Sequence, residues 1–479
     1  MRRPSAILAV LLAALLNGAA LCAPGDAPRL NVIFLLADDL RPDALACTGN
    51  PAVKTPNLDR LAARGTLLTR ATCGYPICHV SRAEILTGRS LTNADMPGHP
   101  LTIDPQWTLW PEAMRRAGWH TAYSGKWHTP GTPQSRGYAE TSGLFSSGGA
   151  KGLPLTFPLS GTGRKVTGYT GWTFKGADGK AIPGDTVGLT PETDARIADG
   201  AIALIRARKA EPFFLHVNFT APHDPLHWPR GGDPRTDAAS LTLPANFRAE
   251  HPFDHGNLAG RDEVIVPAPR SAEDVKRERA VYFSLVENVD AQAGRILRAL
   301  EEAGVMDRTL VIFSSDHGLA LGSHGLMGKQ NQYEHTIGVP LIIAGPLVRA
   351  GARLDAPCYL RDLFPTVCDI TGIAVPPSVQ GRSFLTALLA TCFPPIVQNP
   401  YPAIYGRFTD TQRMMRTADG WKIIWYPKAA RTQLFHVSQD PDELRDLAGD
   451  RGEAERLRRM MADLQSWLRD QGDATAETR

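Results

Sequence analysis

Short continuous apolar runs alternate along the chain with longer stretches whose apolar residues recur every three to four positions. The first run, NVIFLLA from Asn31 to Ala37, has no polar alternation, as a strand buried on both faces of a parallel sheet requires. It stops at Asp38-Asp39. The arrangement then recurs. A helical LWPEAMRRAG (109–118) leads to WHTAYS and then to Gly125-Lys126-Trp127-His128. A helical DARIADGAIALIRARKA (194–210) leads to FFLHVNF and then to Ala221-Pro222-His223-Asp224. A helical stretch from about Ala272 to Ala303 leads to TLVIFSS and then to Asp316-His317-Gly318, and a further strand, PLIIAG (340–345), continues the alternation. Helices alternating with such strands predict an α/β fold, a parallel sheet covered by helices on both faces.

Ligands of such sheets bind beyond the carboxyl ends of the strands. The polar clusters all lie there, so segments far apart in sequence deliver Asp, His and Lys to one edge and predict a common site. Two segments break the pattern. Residues 129–190 are rich in Gly, Thr, Pro and Ser, and 224–270 carry many Pro, Arg and Asp. Long irregular segments of this kind are often binding loops, and we place them at the substrate-facing rim, with a flexible surface loop as the alternative. After Pro376-Pro377 come the strand-like runs PAIYGRF, RMMRTA, WKIIWYP and QLFHV, closed by an amphipathic helix from about Gly452 to Leu468. These predict a smaller antiparallel sheet with a helix. The expected division is a catalytic domain over 29–376 and a C-terminal α+β subdomain over 377–479.

At 43% hydrophobic, the 479 residues suffice for two cores. The formal charge of +3 is near neutral, which predicts no nucleic-acid partner and makes any preference for anions local. Arg2 and Arg3, an apolar run from Ala6 to Leu16 and the small residues Gly18, Ala19, Ala20 and Ala23 read as an export signal over 1–23, predicting a periplasmic or secreted protein. The run is shorter than the roughly 20 residues that span a bilayer. Leu21 before Cys22 stands where a lipidated cysteine needs a small residue, and no later segment is apolar enough to cross, so no stable membrane insertion is expected after cleavage. Seven cysteines are too few and too irregular for a disulfide scaffold.

Asp38 and Asp39 are adjacent acids whose repulsion is relieved by a cation between them, the other common use of such acids being a helix cap. Asp316 adds a carboxylate and His317 a nitrogen or a hydrogen bond, an oxygen-rich set that favours calcium or magnesium over zinc. Around it would gather Arg82, Lys126, His128, His223 and Lys329, a field that selects a tetrahedral oxyanion. A phosphate monoester dianion is often offset by a second metal; lysines and histidines in its place suit the single charge of a sulfate monoester better. As pocket charges, the lysines are expected to add little to global stability. The nucleophile lies in GYPICHVSRAEILTGRS (74–90), where Ser81 is expected to precede a helix whose N–H groups near Arg82 and Ala83 face an anion. A plain thiolate at Cys78 is the first alternative.

Asp38-Asp39, Cys78-His79-Val80-Ser81-Arg82 followed by Leu86-Thr87-Gly88-Arg89, Gly125-Lys126-Trp127-His128, Ala221-Pro222-His223, Asp316-His317-Gly318 and Lys329, in this order and spacing, resemble the type I sulfatases of the alkaline phosphatase superfamily. The resemblance covers essentially the whole mature chain. His317, where many members carry asparagine, makes it look closer to the iduronate-2-sulfatase-like branch. It implies an alkaline phosphatase-like sandwich and conversion of Cys78 to formylglycine by a formylglycine-generating enzyme. It further implies one calcium ion held by Asp38, Asp39, Asp316, His317 and residue 78. On the same resemblance, one hydroxyl of the hydrated aldehyde would attack sulfur with help from Asp316, while His223 and Lys329 would support the departing alcohol. His128, helped by Lys126, would deprotonate the second hydroxyl to expel sulfate, and Arg82 would steady the diol. The family's maturation signal usually reads Cys-x-Pro-x-Arg, or Ala for Pro, and this chain carries Val80 there. A sulfated saccharide is the first expectation for the substrate and a small aryl or alkyl sulfate the second. The competing readings are a phosphate or phosphonate monoester hydrolase on the same fold and an unmodified, inactive sulfated-glycan-binding protein.

Overall fold

The computed structural model describes residues 29–149, 168–176, 178–182, 188–224, 226–229, 236–390 and 401–476. The expected leader over 1–23 and Cys392 lie outside them. The strands are β1 (Asn31–Ala37), β2 (Gly65–Leu68), β3 (Ala71–Thr72), β4 (His120–Lys126), β5 (Glu140–Ser147), β6 (Trp172–Lys175), β7 (Phe213–Asn218), β8 (Thr309–Ser315), β9 (Leu341–Ala344), β10 (Ala352–Leu354), β11 (Cys358–Tyr359), β12 (Ala403–Phe408), β13 (Gln412–Thr417), β14 (Trp421–Tyr426) and β15 (Arg431–His436). The large sheet runs β10-β2-β9-β8-β1-β7-β4-β5-β6. Its centre, β8 to β5, is parallel throughout.

β1 explains why both faces are covered. Ile33, Leu35 and Ala37 join a core containing Ile197, Ala201, Val286 and Val289 from the Thr193–Arg208 and Ala272–Glu302 helices. Val32, Phe34 and Leu36 join a second core with Trp110 and Met114 of the Trp110–Arg116 helix on the other side. Successive side chains of a strand point to opposite faces, so a strand between two helical layers is apolar at every position.

Two expectations are corrected. PLIIAG forms β9, but it runs antiparallel to β8 and to β2. A parallel return needs a crossover that carries the chain to the opposite edge. Between Ser315 and Leu341 the only helix among the described residues is the short Glu334–Ile337 one, so β9 starts at the edge where β8 ended. The 129–190 segment is not wholly loop, because it contributes β5 and β6 to the sheet. β5 lies towards the sheet's edge and is mostly half-buried, so its sequence ETSGLFSS lacks the apolar run of a central strand.

The C-terminal strands β12 to β15 form an antiparallel four-stranded sheet. One face, with Met415, Ile423 and Leu434, packs on Met460, Leu464 and Leu468 of the Ala454–Asp470 helix. The other, with Met414, Ile424 and Phe435, closes the second core of the large sheet. The cysteines among the described residues are free thiols.

Candidate active site

Register brings the polar strand ends together. Ala37 of β1 pairs with Ser315 of β8, which sets Asp38-Asp39 beside Asp316-His317. Leu36 pairs with Asn218 of β7, and Asn218 with Gly125 of β4, so Lys126 and His128 leave the same edge. Gly125 is required where it stands: its φ is 100° and a Cβ would lie 1.9 Å from the Asn218 carbonyl oxygen. Asp39 has a φ of 67°, a strained conformation for a non-glycine residue. It is held by its N–H donating to Asp316 Oδ1 at 3.2 Å and by Tyr282 Oη donating to its carbonyl at 2.8 Å.

Cys78 arrives on the Cys78–Thr87 helix, of which it is the first residue, with Ile77 as the extended cap. This corrects the expectation that the helix begins after Ser81. Ser81 N–H already donates to Ile77 C=O at 3.0 Å, so the free N–H groups of the first turn belong to Cys78, His79 and Val80. Ser81 and Arg82 instead dock the helix on β8: Ser81 Oγ donates to the Asp316 carbonyl at 2.7 Å and Arg82 Nε to Asp316 Oδ2 at 2.9 Å.

All the site residues expected from sequence converge here, and each is buried or nearly so. Asp38 Oδ2 accepts from Lys126 Nζ and, at 2.6 Å, from Tyr169 Oη; Oδ1 lies 3.3 Å from Cys78 Sγ and 3.5 Å from Arg82 Nη2. Asp39 accepts from Lys329 Nζ at both oxygens, 3.0 and 2.9 Å, and lies 3.3 Å from His317 Nδ1. His317 Nε2 is 3.4 Å from Cys78 Sγ. His223 Nε2 is 3.9 Å from Asp39 and its Nδ1 is 3.0 Å from Asp224 Oδ1. The ring of His128 stands between Trp172 and His79, with centroids 5.1 and 5.5 Å away. Lys126 and Lys329 are only 1% and 3% exposed, against the expectation of pocket charges that contribute little to stability. They are buried ion-pair partners, and removing either leaves a buried carboxylate short of its lysine counter-charge.

The charges separate the titrating groups. Burial and the neighbouring Cys78 push the Asp38 carboxyl up, but Lys126, Arg82 and His223 hold it well below the usual carboxylate range. Burial raises Asp39 despite His223 and Lys329, and lifts Asp316 to about 7 despite Arg82. Burial would raise the Cys78 thiol, yet Lys126, Lys329 and His317 hold it well below its ordinary value. Burial lowers His128 to about 4. His223 is held well above its ordinary value, because Asp39 and Asp224 outweigh burial. Against burial, Asp262 and Asp39 do the same for Lys329. A neutral base, a cationic acid and an activated residue 78 in one pocket suit displacement at a tetrahedral oxyanion.

Potential ligand atoms of Asp38, Asp39, Cys78 and His317 lie within 4.8 Å of one another. Asp316 adjoins this set, its oxygens on Arg82 and on the N–H groups of Asp39 and His317. Apart from the side chain of residue 78, the donors are carboxylates with one imidazole, which fit a hard divalent cation. Several contributors were not legible in the sequence. Tyr169 lies in the pattern-free 129–190 segment, and Asp262 in 224–270 carries no periodic signal. Asp224, which follows His223 directly, could have been found from the motif.

Residues 30–373 match the Sulfatase family model, and residues 322–470 match the model described as N-sulphoglucosamine sulphohydrolase, C-terminal. Arylsulfatase K of Homo sapiens is 27% identical over 93% of this chain and 83% of its own length. Arylsulfatase of Clostridium perfringens is 28% identical over 89% of this chain and 92% of its own length. A solved protein in complex with its substrate D-glucosamine-2-N,6-O-disulfate superposes with a TM-score of 0.74 at 22% identity, covering 94% of this chain and all of that one. Phosphonate monoester hydrolase from Silicibacter pomeroyi reaches the same TM-score at 24% identity, over 94% of this chain and 97% of its own, a likeness of fold. With a family model spanning most of its length and a site assembled from the motif residues, this chain belongs to the type I sulfatases of the alkaline phosphatase superfamily and is a sulfuric ester hydrolase.

Proposed function

We propose that this chain is an exported sulfatase of the iduronate-2-sulfatase-like branch, acting on a sulfate monoester of a saccharide through one calcium ion and Cys78 converted to formylglycine. The division into a leader over 1–23, a catalytic domain over 29–376 and a subdomain over 377–479 is part of the same reading. One observation carries it: Cys78 is the first residue of its helix, and its Sγ lies 3.3 Å from Asp38 and 3.4 Å from His317, within the cluster of potential metal ligands. Once formed, the hydrated formylglycine supplies two hydroxyls on one carbon, one to attack sulfur and one to release sulfate, and calcium supplies positive charge for the sulfate oxygens.

The chain's own residues divide the remaining work. Asp316, lifted to about 7, takes the proton of the attacking group, while Arg82 holds its carboxylate in place. His223, kept protonated by Asp39 and Asp224, gives a proton to the departing alcohol, and Lys329 steadies the charge that develops there. His128, kept neutral by burial to about 4, takes the second proton, with Lys126 beside it. The solved protein in complex with D-glucosamine-2-N,6-O-disulfate supports a saccharide as the alcohol.

The test pairs mass spectrometry of the Cys78 peptide with parallel assays on sulfate and phosphate esters of one aryl alcohol, followed by a panel of sulfated saccharides. Formylglycine with a preference for sulfate is expected. Full turnover from entirely unmodified Cys78, or a preference for the phosphate ester, would overturn the reading.

A further inference from the structure

The two acids at the end of β1 meet their lysines differently. Asp38 receives Lys126 and Tyr169 on Oδ2 alone, which leaves Oδ1 turned toward Cys78 and Arg82. A cation can take Oδ1 without disturbing that pair. Asp39 accepts from Lys329 at both oxygens, 3.0 and 2.9 Å, so a cation that Asp39 holds meets the ammonium at the same carboxylate and repels it. An ammonium buried as deeply as Lys329 then needs another counter-charge.

One stands beside it. Asp262 Oδ2 lies 3.6 Å from Lys329 Nζ, and the residue is 5% exposed. Among the described residues neither of its side-chain oxygens accepts a hydrogen bond of good geometry, and its one close ion-pair partner, Arg261 Nη2 at 2.5 Å, is on Oδ1, the oxygen away from the 3.6 Å approach of Lys329. Asp262 sits on the short Arg261–Val264 helix, and its neighbour Glu263 accepts from the N–H groups of Met327 and Gly328 at 2.8 and 2.9 Å. The segment that carries Lys329 is thereby clamped to the segment that carries Asp262. A shift of Nζ by about 1 Å brings it within hydrogen-bonding distance of Asp262.

We propose that Asp262 is the alternative counter-ion to which Lys329 transfers when Asp39 turns to the metal, so that it positions the lysine for the departing alcohol as the site loads. The inference rests on the calcium reading of the site. It makes Asp262 a positioning residue and couples metal binding to the substrate side of the pocket through one side chain.

Calorimetric titration of calcium into the metal-free full-length protein tests it, with Asp39→Asn as the non-binding control. Asp262→Asn is expected to weaken calcium binding at least about 10-fold, because Lys329 then competes for Asp39 without an alternative. In a Lys329→Met background the same substitution should change affinity less than about 2-fold, since no lysine remains to be rehoused. Asp262→Glu, which keeps the charge, should restore most of the affinity. A crystal structure of the calcium-loaded wild type, which needs no variant to fold, should place Lys329 Nζ on Asp262. Equal calcium affinity in Asp262→Asn and wild type, or a loaded structure with Lys329 still on Asp39, overturns the inference alone. Absence of calcium binding by the wild type overturns both it and the metal reading.

Discussion

Val80→Pro restores the residue that the family's maturation signal usually carries, and the structure says what it should cost. Val80 is the third residue of the Cys78–Thr87 helix, and its N–H donates no hydrogen bond among the described residues. Proline therefore removes no helical bond there, and the first turn tolerates its fixed φ. The side chain is fully buried against Tyr75, Ala83 and Leu91. Proline fills most of the same space, so the loss resembles that of one methyl group, about 1 kcal/mol. For a chain of this length that lowers Tm by no more than about 2 °C. Where maturation limits expression, the fraction of formylglycine at residue 78 should rise, and activity per milligram should rise with it. Activity per formylglycine should stay constant. The assay measures formylglycine by peptide mass spectrometry and turnover on the same preparations, with Cys78→Ala as the inactive control. An unchanged formylglycine fraction refutes the role of Val80 in maturation. A fall in Tm beyond about 5 °C refutes the packing argument.

Lys126→Met should reduce turnover by about 100-fold, as loss of a preorganised charge does. Because the Lys126–Asp38 pair is buried, it should also cost about 3–5 kcal/mol in denaturant unfolding of the metal-free protein, and an unchanged midpoint would refute the pairing. Acid should destabilise the protein through His251, His255 and His324, which burial lowers to about 4, 3 and 4. Since their folded values lie below the unfolded value near 6.5, the unfolded chain binds protons first; the contribution is complete above about pH 6.5 and is lost as pH falls toward 4, roughly 2 kcal/mol per histidine by pH 5. Asp194, which burial raises to about 6, acts in the opposite sense, because its folded form binds the proton first. His324→Gln should shrink the stability difference between pH 7.5 and pH 5 by about 2 kcal/mol, and an unaltered difference would refute the assignment.

The sequence by itself determined the central strands and the contents of the site's edge. NVIFLLA, FFLHVNF and TLVIFSS each hold a run of consecutive apolar residues because each lies between two helical layers, and that burial is written into the local run. The polar residues that end those runs must emerge at one edge once the strands are parallel, so Asp38, Asp39, Lys126, His128, His223, Asp316 and His317 could be grouped before any contact was known. The direction of β9 was not legible, because it depends on whether the connection from Ser315 crosses the sheet, not on the composition of LIIA. Nor were β5 and β6, whose half-buried edge positions leave no periodic trace. Tertiary structure alone paired Lys126 with Asp38, Lys329 with Asp39 and Asp262, and Tyr169 with Asp38. Hydrophobic periodicity records whether a residue is buried within its own strand or helix. The partner of a buried charge is set by strand register and by loops that return from distant parts of the chain, and neither leaves a repeating pattern in the sequence.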